Sequence, residues 1–216
     1  PRLDNLGSSI VALDALVDHS KHEAKERDHS EIDMILLFDH EDVGSQSTQG
    51  ADSNMAAEIT QRIFENFGGH REDYYRAIHS SFLISCDMAH AVHPNYSEKH
   101  QRSHMPVIHG GMVVKINANQ RYATDVISSS ALKVLAAKAE VPLQEFIVRN
   151  DSLCGSTIGP IIASQAGIKT IDIGAPMLSM HSIRESCGVV DLLYCRHLFN
   201  TFFQDGAKVI ANLLNE

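Results

Sequence analysis

The fold is indicated most clearly by residues 144–174, which read QEFIVRNDSLCGSTIGPIIASQAGIKTIDIG. The apolar runs near its two ends, in 144–151 and 169–174, have the length of β-strands. Residues 157–167 between them are predicted to form a helix. A strand, a helix and a second strand in this order are typical of parallel pairing, with the helix covering one face of the sheet.

The same alternation continues towards the N-terminus and the C-terminus. Apolar runs that are hydrophobic on both faces predict three more strands, and apolar residues at helical spacing predict four more helices. Buried strands that alternate with helices favour an α/β fold with a mixed, mostly parallel central sheet covered by helices. The strands are predicted at 32–38, 81–87 and 112–117, and the helices at 4–19, 53–68, 124–139 and 183–203, the last extended or followed by a turn at 207–214.

Composition limits the class of protein. A chain of 216 residues with 44% apolar and 21% charged residues is long enough for one α/β domain with a real core. The net charge of −9 argues against a nucleic-acid partner, and no run of about 20 apolar residues indicates a membrane span. The four cysteines form no CxxC pair, and we expect reduced thiols in a cytoplasmic protein, with the vacuole as the alternative.

Acidic residues and a histidine follow the predicted strands. Residues 36–45, LLFDHEDVGS, place three carboxylates and a histidine after an apolar run, and another predicted strand, 81–87, also ends in a carboxylate. In open α/β sheets, ligands bind at the carboxyl ends of the strands, so these side chains are expected to meet at one edge. A divalent cation, zinc or else manganese or cobalt, would neutralise them. The alternative is that each is a helix cap or turn former. The set that follows strands comprises Glu41, Asp42, Asp87 and His181, and Asp4 opens the first predicted helix.

The adjacent carboxylates Glu41 and Asp42 suggest a division of labour. One can bind a metal ion while its neighbour remains free as a general base for water. Two metal ions about 3.5–4 Å apart are a known arrangement in aminopeptidases.

With these residues in view, the chain resembles the aspartyl aminopeptidases, the M18 metallopeptidases with two catalytic zinc ions. The resemblance implies a zinc-aminopeptidase, phosphorylase/hydrolase-like fold. It extends from position 1 to 185 in the expected order. The matching motifs are PRLDNL, DHEDVGS, SCDMAHAVHPNY, VVKIN, QRYATD, VRNDSLCGSTIGP and APMLSMHSIRE.

The resemblance implies a role for each site residue. Asp4 corresponds to the carboxylate that bridges the two metals, and Glu41 to the general base that activates the bridging water. Asp42 and His181 correspond to ligands of one metal, and Asp87 to a ligand of the other. The family normally has Glu-Glu where this chain has Glu41-Asp42, so the shorter side chain could change the position or occupancy of that metal.

The resemblance also implies substrate contacts. An N-terminal Asp or Glu of a peptide needs a cation, which Lys115 is expected to supply, with Arg184 as the next candidate. Histidines and a glycine-rich turn are expected to line the pocket. The ordinary alternatives are a lysine at a strand edge, loop histidines that satisfy backbone groups, and a turn before a capped helix. The remaining candidates are His90, His93, Gly155 and Thr157.

The expected function is therefore a two-metal aminopeptidase that removes N-terminal acidic residues. We expect residues 1–216 to form the C-terminal part of the catalytic domain, because a family histidine ligand and the dimerisation domain would precede them. The family forms large homo-oligomers, typically dodecamers. Two alternatives stay open: a non-catalytic subunit or interaction module that retains the fold, and a dinuclear-zinc aminopeptidase that prefers neutral residues.

Overall fold

The computed structural model describes residues 2–22 and 31–214. Within them, helices and strands follow one another along the chain, and a short 3-10 helix at Glu41–Val43 precedes the second helix. The elements are α1 (Leu3–His22), α2 (Met55–Asn66), α3 (Arg71–His79), β1 (Phe82–Cys86), β2 (Ala89–His90), β3 (Met112–Ile116), α4 (Val126–Lys138), β4 (Leu143–Ile147), α5 (Gly159–Ala166), β5 (Lys169–Gly174), β6 (Pro176–Leu178), β7 (Ser186–Cys187) and α6 (Val189–Leu214).

The main sheet has the strand order β1-β5-β3-β4. Strand β1 is parallel to β5 and β3 is parallel to β4, whereas β3 and β5 are antiparallel. The parallel pairing suggested by 144–174 is therefore wrong, because β3 lies between β4 and β5 and these two strands run in opposite directions. Strand β5 has neighbours on both sides, and its residues from Thr170 to Gly174 are all buried. This position explains why both faces of β5 are buried, the apolar face of Ile171 and Ile173 and the opposite face that carries Asp172. The predicted mixed α/β fold is confirmed.

A second, three-stranded sheet with the order β2-β6-β7 extends the chain beyond the ends of β1 and β5. Strand β2 pairs in parallel with β6, which pairs antiparallel with β7. The sequence analysis did not predict this sheet, because strands of two or three residues are too short to show a periodic pattern. The sheet carries the chain away from the main sheet towards the loop that holds His181.

The core lies between the main sheet and the helices α1, α4 and α6. Helix α1 packs along α6, and α4 contacts both α6 and β5. The N-terminus of α4 is capped by Asp125, whose carboxylate accepts a hydrogen bond from the Ser128 amide at 2.7 Å. Fully buried apolar side chains fill the space, among them Met112, Leu132, Leu135, Ile171, Ile173 and Leu198.

The prediction of a strand at 32–38 is wrong. This segment is extended but is not part of a β-ladder, and Ile32 and Leu37 are 52% and 60% exposed. An apolar run indicates burial, but a strand also needs a neighbour whose backbone can pair with it. The segment instead lines a cavity of about 1030 Å³ together with β1 and α6.

Two helices differ from the sequence-based expectation. The sequence of helix α3, REDYYRAIH, contains too few apolar residues to predict a helix by their spacing. Tyr74 is its buried residue. The last helix begins at Val189 and runs without a break to Leu214, so 207–214 extends it. The polar stretch 18–31 lacks apolar periodicity, which predicts a loop, but 18–22 belong to α1, and 23–30 lie outside the described residues.

Candidate metal centre

Three of the predicted ligands come together in the structure. The Nε2 atom of His181 lies 2.9 Å from Oδ2 of Asp4 and 3.3 Å from Oδ1 of Asp42. One donor atom from each of the three residues lies within 4.8 Å of the others, close enough for one ion to contact all three. The side chain of Asp4 is 9% exposed, whereas those of Asp42 and His181 are each 62% exposed. The cluster therefore has a buried side and an open side.

The backbone that presents these side chains is irregular rather than strand-like. Asp4 lies in the first turn of α1 with non-helical backbone angles. Asp42 lies in the 3-10 helix between His40 and Gly44, which both have positive φ angles of 60° and 105°. His181 also has a positive φ of 67°. Turns of this kind let the chain reverse sharply, so the residues meet without Glu41-Asp42 ending a strand as predicted.

Asp87 follows β1 and lies beside Asp4. The Nζ atom of Lys115 is 3.5 Å from Oδ2 of Asp87. Burial raises the pKa of Asp4 to about 8, helped by a hydrogen bond to Asp87 and by the negative charges of Asp87 and Asp42. Burial also acts to raise the pKa of Asp87, but the charge of Lys115 and the hydrogen bond from Asp4 hold that pKa below its ordinary value.

Glu41 lies next to this group and lines the same cavity as Asp4, Asp42 and Asp87. Its pKa is raised, first by burial and then by the charges of Asp87 and Asp42. A carboxyl group whose pKa is shifted towards neutrality is suited to accept a proton. The structure thus places the predicted general base beside the predicted ligands.

The donor set fits a divalent cation. Four carboxyl groups and one imidazole converge, and burial, together with the charges of the neighbouring carboxylates, raises the pKa of Asp4 so that it keeps a proton at neutral pH. A bound cation would replace that proton and satisfy the repelling oxygens. Oxygen and nitrogen ligands of this kind are those of catalytic zinc sites. The four carboxyl groups are those of Asp4, Glu41, Asp42 and Asp87, and the imidazole is that of His181.

Lys115 contributes a positively charged side chain next to this cluster. It is 3% exposed, and its ammonium lies 5.5 Å from the centre of the Tyr122 ring. A buried ammonium is costly unless a carboxylate or an aromatic ring faces it, and here Asp87 and Tyr122 both do. The expectation of a simple strand-edge lysine does not match this position.

The two predicted loop histidines lie at the rim. His90 ends β2 and is exposed, and its carbonyl oxygen is 3.3 Å from Nε2 of the buried His100. His93 accepts a hydrogen bond from the amide of Asn95 at 3.1 Å and packs against Tyr96. His93 thus stabilises its own turn in this structure, whereas burial and then the charge of Lys115 lower the pKa of the His90 imidazole, which lies close to the site.

The glycine-rich turn before α5 divides into an open part and a buried part. Gly155 is exposed, with free space around its Cα atom. Thr157 is 4% exposed, and its hydroxyl donates a hydrogen bond to Oδ1 of Asp172 at 2.6 Å. The hydroxyl that was expected to contact a substrate is therefore directed into the protein.

Sequence reasoning missed a residue that joins two ligand-bearing segments. The carboxylate of Glu185 accepts hydrogen bonds from the amide of Leu3 at 2.7 Å and from the amide of His181 at 2.8 Å. Leu3 precedes Asp4, so Glu185 fixes both sides of the cluster. The signal in the sequence was the position of this acidic residue, four residues after the predicted ligand His181.

The protein thus has a mixed α/β fold with a carboxylate–imidazole cluster that is suited to a divalent cation. The family model described as "Aminopeptidase I zinc metalloprotease (M18)" matches residues 1–203. The chain therefore belongs to the M18 family of metallopeptidases.

Curated relatives agree with this assignment. The chain is 51% identical over 204 residues to a probable aspartyl aminopeptidase of Ricinus communis, covering 94% of the chain and 42% of that protein. It is 46% identical over 214 residues to aspartyl aminopeptidase 1 of Schizosaccharomyces pombe, covering 99% of the chain and 45% of that protein. The chain thus spans less than half the length of the relatives that it matches.

Solved structures share the fold. A cryo-EM structure of an Ape4 and Nbr1 complex superimposes with a TM-score of 0.92 at 46% identity, covering 99% of this chain and 40% of that one. A dodecamer of mature Ape1 from Saccharomyces cerevisiae superimposes with a TM-score of 0.83 at 31% identity, covering 98% and 47%.

Proposed function

We propose that this protein is a metal-dependent aminopeptidase that removes Asp or Glu from the N-terminus of peptides. The observation that carries the proposal is the position of one buried ammonium, that of Lys115, beside a cluster of metal-binding carboxylates. The cluster suits hydrolysis of a peptide bond, and the ammonium suits an acidic substrate side chain. The names of the relatives, aspartyl aminopeptidases, support the same substrate class.

The residues that would hold two zinc ions are Asp4, Asp42, Asp87 and His181, with Asp4 positioned between the other two carboxylates. Asp4 is adjacent both to the Asp42–His181 pair and to Asp87, as a bridging ligand must be. When bound, the ions supply Lewis acidity that lowers the pKa of water and polarises a scissile carbonyl. Manganese or cobalt would fit the same oxygen and nitrogen ligands.

Glu41 is proposed to accept the proton of the attacking water and to return it to the leaving amine. Its raised pKa, caused chiefly by burial, matches that task better than an ordinary glutamate would. It is also half-buried, which limits its exchange of protons with bulk water. Asp42, the neighbour of Glu41, is exposed and paired with His181, so the two adjacent carboxylates differ in role.

Lys115 is proposed to bind the carboxylate of the substrate's N-terminal side chain. Its ammonium already faces one carboxylate, that of Asp87, across 3.5 Å. A peptide that begins with Asp or Glu would bring a second carboxylate to the same ammonium, whereas a leucyl peptide would leave a buried charge without added compensation.

The test uses the full-length protein, an aspartyl substrate and a leucyl substrate with free N-termini. We expect selective turnover of the aspartyl substrate, loss of turnover after chelation and recovery with zinc. Equal turnover of both substrates would favour a neutral-residue aminopeptidase. A protein that binds zinc but turns over neither substrate would be a non-catalytic module.

Two further features are proposed for the whole protein. Homo-oligomerisation, as a dodecamer, is supported by the dodecamer of the Ape1 relative and can be tested by light scattering. A cytoplasmic location, with the vacuole as the alternative, is supported by four free cysteines, which suit a reducing compartment, and can be tested by cell fractionation.

A further inference from the structure

We infer that Asp172 is a positioning residue that sets substrate specificity by holding in place the walls of the pocket that binds the acidic side chain of the substrate. It does not contact the substrate. It ties together the end of β1, the segment that carries Tyr122, and the turn before α5. The inference rests on the proposed function, because the pocket that Asp172 would shape is the one built around Lys115.

Asp172 is a fully buried carboxylate that three donors satisfy. Its Oδ1 atom accepts hydrogen bonds from the hydroxyls of Ser85 and Thr157, both at 2.6 Å. Its Oδ2 atom accepts a hydrogen bond from the amide of Ala123 at 2.6 Å. All three donors are neutral, so no side-chain charge among them compensates the buried carboxylate. A buried carboxylate held in this way fixes the geometry of each donor, because losing any one of them leaves charge unsatisfied.

The start of α5 packs directly against this carboxylate. A Cβ atom added to Gly159 would come within 2.3 Å of Oδ2 of Asp172. The first turn of a helix carries partial positive charge, which favours an anion at this position. The carboxylate of Asp172 therefore contacts three hydrogen-bond donors and the start of α5, and a shift of this carboxylate would disturb all of them.

These contacts lead to Lys115 through Tyr122. Ala123, which donates to Asp172, follows Tyr122, whose ring centre lies 5.5 Å from the Lys115 ammonium. The Thr157 amide donates a hydrogen bond to the carbonyl oxygen of Arg121 at 3.3 Å, so the turn before α5 is attached to the same segment. If the bonds to Asp172 are lost, we expect the Tyr122 ring and Lys115 to shift together.

The contacts also lead to the metal side of the pocket. Ser85 is the direct neighbour of Asp172 across the β1–β5 pairing, and it lies two residues before Asp87. Asp172 thus links the strand that ends in Asp87 with the ring that covers Lys115. Its displacement would alter the relative position of the two partners of that ammonium.

The test compares isosteric changes at Thr157 in the full-length protein. Thr157→Val keeps the shape but removes the hydroxyl donor, and Thr157→Ser keeps the donor. We expect Thr157→Val to lower the ratio of kcat/KM for the aspartyl over the leucyl substrate about tenfold, mainly through KM for the aspartyl substrate. Thr157→Ser should keep the wild-type ratio. Ser85→Ala should lower the ratio in the same direction by a smaller factor, and it provides the measurement if Thr157→Val does not fold.

A matched control separates positioning from stability. Asp191 is also fully buried and accepts hydrogen bonds from the amides of His109 at 2.7 Å and Gly111 at 3.1 Å, neither of which bonds to Asp172. Asp191→Asn should lower Tm without changing the substrate ratio. If the wild type prefers the aspartyl substrate and neither Thr157→Val nor Ser85→Ala changes the ratio of kcat/KM values, the inference about Asp172 is wrong. The proposed function would be unaffected by that result. A wild type that does not prefer the aspartyl substrate would overturn the proposed function, and the inference with it.

Discussion

The ammonium of Lys115 lies 3.5 Å from the carboxylate of Asp87, and the lysine side chain is only 4% exposed. This pair joins the two halves of the proposed site, because Asp87 belongs to the metal cluster and Lys115 to the substrate pocket. The same lysine also lies over the ring of Tyr122. Its charge lowers the pKa of Asp87 against the effect of burial, which keeps that carboxylate ready to bind a cation.

Replacing Lys115 tests the substrate pocket. Lys115→Met should lower kcat/KM for an aspartyl substrate by roughly two to three orders of magnitude, since leaving one charge of a buried pair without its partner costs about 3–5 kcal/mol. Cleavage of a leucyl substrate should change much less when zinc is in excess, because excess zinc offsets the weaker cation binding expected of Asp87 without Lys115. The control is Lys133→Met, at a lysine whose side chain is 58% exposed. Equal losses for both substrates would assign Lys115 to catalysis or folding, and Arg184 would be the next candidate.

Glu41→Gln tests the general base. The amide has the shape of the carboxylate but cannot take up a proton, so turnover should fall by at least about two orders of magnitude while bound zinc is retained. Activity and metal content are measured on the same preparation. The control is Glu58→Gln, at an exposed glutamate of α2. Joint loss of zinc and activity would show that Glu41 is a ligand instead.

Glu185→Gln tests the hydrogen bonds that fix the cluster. The two carboxylate oxygens of Glu185 accept hydrogen bonds from the backbone N–H groups of Leu3 and His181. In the glutamine variant one of these oxygens becomes an NH2 group, which cannot accept a hydrogen bond from the N–H group that faces it. Zinc affinity should fall about 10–100-fold, as is usual when a partner behind the metal ligands is lost. Competition with a zinc chelator measures the change. Wild-type affinity in this variant would mean that the cluster forms without Glu185.

The pH dependence of stability tests the electrostatics of the metal-free site. Burial raises the pKa of Asp4 to about 8, so the folded protein binds a proton that the unfolded chain releases near pH 4. Because the folded state holds more protons between these values, the metal-free protein should lose stability as the pH rises towards 8. Thermal unfolding with chelator should show this loss, and Asp4→Asn should reduce it.

Excess zinc should remove the same pH dependence, because the ion replaces the proton on Asp4. A metal-free protein that becomes more stable between pH 6 and pH 8 would contradict the assignment. A slope that Asp4→Asn leaves unchanged would mean that another group is responsible.

The sequence predicted the long helices and all four strands of the main sheet, because each has an apolar pattern that burial enforces. It failed at 32–38, where the apolar residues line a cavity rather than pair in a sheet. It also placed Glu41 and Asp42 at a strand end, although sharp turns at His40 and Gly44 bring them to the site. A motif can therefore indicate the right residues when the structural reason first given for their position is wrong.

Buried hydrogen-bond acceptors were the least predictable part of the site. Asp172 lies between Ile171 and Ile173 of KTIDIG, and an acidic residue inside a central strand signals a buried, satisfied carboxylate. Which donors reach it, Ser85, Thr157 and Ala123, depends on contacts between segments 15 to 87 positions apart in sequence. Local pattern carries no information on such contacts.

The central claim is that Asp4, Asp42, Asp87 and His181 hold catalytic metal ions. Anomalous X-ray diffraction at the zinc edge, on crystals of the full-length protein, tests it most directly. We predict two peaks, one at zinc-ligand distance, about 2.0–2.2 Å, from Asp4, Asp42 and His181, and one at that distance from Asp4 and Asp87. Zinc located away from these side chains would contradict the account.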